Sequence, residues 1–357
     1  MILLAKRIIE VPETKHIFQI RGIIGGVEKD NFYKEVKTKN GSIMRCVNFF
    51  VDTNSDERVY ISLTGFPRDK VYFYKKGEDG APGTTKEVAW ADRYDFKSEG
   101  YNMFGVKLGL TKEADKDGKL KNVNETHTEY DSCAIIAEKL KDGMSVFIKG
   151  NIIYSSKTNS NGEKARYINL SPNQISLCKD EIDFHDETFK RVSDWEGVIV
   201  YDSVEPIKND NGITERFSVS AKIVKYDSVE DVEFYIDKAH EKLATTFKKN
   251  LKPFTAISVS GDIRCSTPTE DIKQADDEDQ WGDASGFSKA VTGSHKVEYF
   301  INGATPSTID KETFSKGEIE KAIKAIKNSE KATTNYADKD NDDDWGDVDD
   351  SDETPWD

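Results

Sequence analysis

Cysteine is scarce and scattered in this sequence: four in 357 residues, Cys46, Cys133, Cys178 and Cys265, with no C-x-x-C pair and no histidine at zinc-ligand spacing. That argues against a structural zinc or a secreted disulfide framework and for a reducing compartment. Long apolar runs are also missing. The opening MILLAKRII is interrupted by Lys6 and Arg7, too short for a signal-peptide core or a membrane span. The expectation is a cytoplasmic protein with no membrane partner. Catalytic signatures are absent too. GEDGAPGTTK has glycines and a lysine but not the spacing of a phosphate loop, and His16, His127, His185, His240 and His295 are isolated, with no G-x-S-x-G or H-E-x-x-H. EADKDGKLKNVN (113–124) carries Asn124 where a calcium loop needs Glu, and the carboxylates at 276–283 have no neighbouring base or phosphate clamp. The sequence predicts a protein that is not an enzyme and needs neither metal nor cofactor.

What it has in excess is negative charge, unevenly placed. The formal charge is −15, but residues 338–357 hold eleven acids against one Lys, and EDIKQADDEDQWGD (270–283) holds seven against one. Without these two stretches the remainder is close to neutral, so the acidic total does not exclude a local basic groove. The segment from 335 on cannot bury enough apolar surface to offset the entropy of ordering it and is expected to be a disordered tail. A solvated charge run is the ordinary reading of such a tail. Trp345 and Trp356 among its acids instead suggest a docking segment, with Asp344, Trp345, Pro355, Trp356 and Asp357 as candidate partner-binding residues.

Between these stretches the periodicity is that of strands. HIFQIRGIIGGV (16–27), NGSIMRCVNFFV (40–51, opening on Asn-Gly) and RVYISLTG (58–65) are followed, after an insertion over 64–128, by a helical YDSCAIIAEKLKDG (130–143) ending on Gly143. MSVFIKGNIIYSS (144–156) alternates Val146, Ile148 and Ile152 inward, and a turn at Asn161-Gly162 leads to a last strand. This is the order of a five-stranded Greek-key barrel with its helix between strands three and four. The order then returns: DWEGVIVYDSV (194–204), NGITERFSVSAKIV (211–224), a helix within 236–254 bearing Leu243 and Phe247, TAISVSGDIRCS (255–266) with Gly261 and Ile263 in the places of Gly150 and Ile152, and HKVEYFINGATPSTI (295–309). The prediction is a mainly β chain of tandem OB-fold-like barrels with short helices. It comprises an arm (1–15), barrel one (16–180), a linker (181–193), barrel two (194–310) and an amphipathic helix (311–334) with Ile319, Ala322, Ile323 and Ile326 on one face.

CAIIAEKLKDGMSVFIKGNIIYS followed by NGEKARY resembles the matching part of bacterial and phage single-stranded DNA-binding proteins, at Gly143, Val146, Ile148, Gly150, Gly162, Arg166 and Tyr167. The acidic terminus is a second likeness, although it reads Pro355-Trp356-Asp357 where the bacterial proteins end on Pro-Phe. Tandem barrels and this ending point to a phage version. The resemblance implies an OB fold, single-stranded DNA as partner, a role in DNA replication, recombination or repair, and recruitment of other proteins by the tail.

A sequence-tolerant single-strand binder needs cations along a groove and aromatic faces for bases to stack on. The first hairpin offers Phe32, Tyr33, Lys34, Lys37, Lys39 and Arg45; the second offers Lys149, Tyr154, Lys157, Lys164 and Arg166; the insertion offers Tyr72, Tyr74, Lys75 and Lys76. Phe49, Phe73 and Phe104 are read as core. The second barrel is poorer in this combination. The competing reading is a protein-interaction scaffold with an acidic docking tail and no bound nucleic acid, and a homo-oligomer is compatible with either.

Overall fold

The computed structural model describes residues 9–38, 41–78, 81–158, 164–266 and 296–337. The acidic stretch 270–283 and the tail from 338 on lie outside them. The first unit opens with β1 (His16–Gly25), β2 (Tyr33–Lys37), β3 (Ile43–Asp52) and β4 (Arg58–Gly65). The insertion adds β5 (Lys70–Lys75), β6 (Thr84–Ala89), β7 (Asn102–Met103), β8 (Val106–Ala114) and β9 (Leu120–His127). The unit then ends in α1 (Glu129–Lys139), β10 (Ser145–Thr158) and β11 (Lys164–Leu177). The second unit runs through β12 (Val192–Lys208), β13 (Thr214–Val224), β14 (Val229–Asp237), α2 (Glu241–Asn250), β15 (Thr255–Ser266) and β16 (Lys296–Asp310), and α3 (Lys316–Ala337) follows.

In the second unit β12 pairs with β13, β13 with β14, β14 with β16 in parallel, β16 with β15 and β15 back to β12. That closed cycle of five strands, with α2 between the third and fourth, is the OB arrangement. The first unit follows the same order with β1, β3, β4, β11 and β10, but β4 and β11 form no ladder, and β11 instead pairs in parallel with β8 of the insertion. Its β4–β11 side is spanned by the Asn169 amide donating to the Ser62 carbonyl at 3.3 Å. The repeat extends to backbone detail, because both fifth strands bulge opposite the fourth-strand glycine, with Asn173 the extra residue against Lys149 and Gly150 and Asn302 against Ser260 and Gly261. A Cβ on Gly150 would lie 2.1 Å from the Ser171 carbonyl oxygen and one on Gly261 1.8 Å from that of Phe300, so only glycine fits opposite either bulge. The helix expected over 130–143 stops earlier: α1 ends at Lys139, and Gly143 (φ +84°) sits in the following turn, its N–H bonded to Ile24.

The expected linker is where the structure departs most from two separate barrels. β1 pairs antiparallel with β12, His16–Arg21 against Val192–Gly197, so both units share one 13-stranded sheet and one hydrophobic core. An opening strand with one free edge carries unpaired N–H and C=O groups, and here each edge satisfies the other. The preceding segment is strapped down as well. Arg21 donates to the Lys190 carbonyl at 2.6 Å, Arg191 lies 2.6 Å from Glu57, and Ile182 N donates to Ser145 Oγ at 2.9 Å. At the other end of the chain, Ile9 and Val11 are buried with Phe314, Ile319 and Ala322 of the α3 region against the second barrel. The apolar stripe read for that helix is thus the face that packs.

Candidate nucleic-acid interface

At the first hairpin the sequence candidates divide by burial. Phe32 is in the core, correcting its assignment to the surface, because it turns inward under β3. Tyr33 is half-buried and donates its hydroxyl to Glu35 at 2.6 Å; burial, then that bond, pushes its pKa up to about 12. Arg45 is committed on two sides, to Glu35 at 2.9 Å and over the Tyr130 ring at 4.0 Å. Lys34 and Lys37 are exposed and form no ion pair with another described residue. Lys39 lies outside the described residues.

The second hairpin is corrected further. Tyr154 is 3% exposed, its hydroxyl 2.7 Å from His16 Nδ1, and His16 Nε2 is 2.8 Å from the Val198 carbonyl. A carbonyl only accepts, so Nε2 carries the proton and Nδ1 accepts from Tyr154. Trp195 and Phe234 of the second barrel flank the histidine, and burial lowers its pKa to about 4. Tyr154 is therefore part of the seam between barrels, not a stacking surface. Lys149 is exposed, but its cross-strand row continues through Gln19 and Asp194 to Asp262, in a cleft of about 560 Å³ that also holds Glu196. Its surroundings are anionic, which opposes phosphate there. Arg166 is exposed beside Tyr167, which is 52% exposed; the side chains of Lys157 and Lys164 lie outside the described residues.

The insertion holds the most exposed aromatic surface. β6, β5 and β7 form a small sheet of their own. Strand alternation on β5 turns Val71 and Phe73 inward, Phe73 meeting Phe96 at 4.6 Å between ring centroids, and sends Tyr72 and Tyr74 outward. Phe104, expected in the core, instead lies 5.7 Å from Tyr74. The three rings are 39%, 38% and 56% exposed. Lys75 and Lys76 line a shallow depression of about 340 Å³ with Tyr74 and Phe104. Phe49 and Phe73 are buried, as read from sequence.

A cluster at the start of α1 fixes that sheet to the barrel. Asp131 accepts two hydrogen bonds from Arg93, at 2.8 and 3.1 Å, one from Tyr94 at 2.7 Å and one from Thr128 at 2.8 Å. Burial alone would raise its pKa, but these donors hold it below the usual carboxylate value. Arg93 also stacks over Trp90 at 4.3 Å, and Trp90 meets Tyr130 at 6.1 Å. Cations and rings thus run from the β2–β3 hairpin through Arg45, Tyr130, Trp90 and Arg93 to the insertion. Sequence reasoning missed Trp90, Arg93, Tyr94, Tyr130 and Phe104. The local signal was present in WADRYDF (90–96), three aromatics around an arginine, but its partner Asp131 is thirty-eight residues away from Arg93. Among the described residues no group of three His, Cys, Asp or Glu is placed to hold a metal, and no helix is long and apolar enough to cross a membrane.

Among solved structures, the chain is similar to the single-stranded DNA-binding protein of Thermus aquaticus, at 10% identity and a TM-score of 0.36 over 82% of this chain and 93% of that one. A deletion variant of that protein gives 11% identity and the same TM-score over 82% and 94%. Superposition this loose carries no argument, and the fold rests on the chain's own strand order. No curated protein matches this sequence. Residues 75–339, about three quarters of the sequence, match YorF, and the chain belongs to the YorF family.

Proposed function

We propose that this protein binds single-stranded DNA without reading its sequence, through the first barrel and its insertion. In this reading it coats and protects replication or recombination intermediates and recruits other proteins through its acidic tail. The observation that carries the reading is the trio Tyr72, Tyr74 and Phe104, three large rings left in solvent on one small sheet beside Lys75 and Lys76. Ring surface left exposed in this way costs solvation, whereas each ring provides a face for a base of any identity, worth about 1–3 kcal/mol. Lys34 and Lys37 supply cations for the phosphates on the same barrel. The fold supports the reading in a general way only, since OB barrels serve many ligands.

The test is titration of the full chain with labelled oligo(dT), mixed-sequence single strands and duplex of equal length at several salt concentrations. The reading expects similar affinity for all single strands, weaker binding to duplex, and log K falling linearly with log salt. No single-strand binding at low salt overturns it and leaves the protein-interaction scaffold.

A further inference from the structure

The second barrel carries a basic surface that the proposed function does not use. Residues 238–252 hold five lysines and one glutamate, and Lys238, Lys242, Lys248, Lys249 and Lys252 are all exposed. Beside them α2 and the β12–β13 hairpin enclose a groove of about 340 Å³. Val204 and Ala244 form its floor, Pro206 and Phe217, paired across the two strands, form a wall, and Lys248 and Lys249 stand at the rim. Lys248 pairs with Glu205 at 3.3 Å, but both side chains are about two-thirds exposed, so the pair is worth little and another carboxylate can replace it.

An apolar slot rimmed by lysines fits an aromatic residue flanked by carboxylates, and this chain supplies one. Residues 338–357 carry eleven acids, one lysine, Trp345 and Trp356. They leave from the end of α3, and α3 and α2 both pack on β14. Twenty residues extend to about 70 Å, enough to reach α2, and tethering on this scale gives effective concentrations in the millimolar range. We infer that the tail of each chain docks on its own α2 groove, a tryptophan in the slot and aspartates on the lysine rim. Docking there would shelter the tail from partners until a competitor releases it, and would keep the polyanion off the first barrel. The inference does not depend on nucleic-acid binding.

Carbodiimide cross-linking of the full chain at low concentration tests it, since the reagent joins lysine amines to carboxylates they touch. Mass spectrometry of an equal mixture of light and heavy isotope-labelled protein should find tail links mainly at Lys242, Lys248 and Lys249, almost all within one isotope. Trp345→Ala/Trp356→Ala leaves every amine and carboxylate in place and should reduce those links at least tenfold. Links to Lys34, Lys37, Lys75 or Lys76 instead, links scattered over all exposed lysines, or mixed-isotope links at α2 from a second copy would overturn the inference. So would links at α2 undiminished by the tryptophan substitutions.

Discussion

Acid should loosen the seam between the barrels, and His16 sets the size of the effect. The neutral ring satisfies both its partners, donating from Nε2 to Val198 and accepting at Nδ1 from Tyr154, while Trp195 and Phe234 exclude water. Its pKa falls from 6.5 to about 4 in the folded protein. Between those values the unfolded chain takes up a proton that the native state refuses. The contribution to stability is therefore whole above about pH 6.5, declines as pH falls, and levels off below about pH 4. A gap of about 2.5 pH units at about 1.4 kcal/mol per unit gives about 3.5 kcal/mol, of which about 3 kcal/mol is expressed by about pH 4. Carboxylates titrate in the same range, so the effect must be read as a difference. His16→Gln retains an amide donor and acceptor but does not titrate. Urea unfolding of both proteins from about pH 7 to about pH 4 should show the wild type losing about 3 kcal/mol more than the variant. Parallel pH dependences would refute the reasoning and mean that the ring accepts a proton without breaking the seam.

Limited proteolysis should cut the loop between β5 and β6 while sparing 181–191, because that segment is bonded through Lys190, Arg191 and Ile182; early cutting at 181–191 would contradict the shared sheet. Charge reversal of Lys34, Lys37, Lys75 and Lys76 to Glu should weaken oligo(dT) binding and flatten its salt dependence by about 0.7 in slope for each phosphate that is no longer neutralised, with unchanged thermal unfolding; an unchanged slope would remove these lysines from the interface. Arg93→Ala should lower stability by about 1–3 kcal/mol and loosen the insertion, measured by urea unfolding and hydrogen exchange over 70–103. Since Asp131 is held below 3.8, its share of that clasp is present above this pH and is lost as pH drops further.

The two barrels were legible because each signal was local. The Asn-Gly pairs mark tight turns, and Gly41 and Gly212 do adopt positive φ, at +82° and +75°. The alternation of Val146, Ile148 and Ile152 sets the inward face of β10, and the glycines opposite the bulges recur at the same step of both repeats. The β1–β12 pairing was not legible, because nothing in HIFQIRG tells a free edge from one met by a strand over 170 residues later. That pairing also explains the misreading of Tyr154: on an isolated barrel its end of β10 would face water, and His16 and Phe234 close it. Phe104 failed in the opposite sense. Its neighbours Tyr72 and Tyr74 alternate outward, and only the register of β5 with β7 shows that Phe104 joins them.

The proposed function stands on Tyr72, Tyr74 and Phe104 as a platform for bases. Its decisive measurement is titration of the full chain with oligo(dT) after all three are replaced by Ala. If at least two rings each hold a base at about 1–3 kcal/mol, binding should weaken by about 2 kcal/mol or more, roughly 30-fold in Kd. The salt slope should be unchanged, because stacking releases no counterions, and thermal unfolding should move little, because all three rings are more than a third exposed. An unaltered Kd in a folded triple variant would contradict the claim.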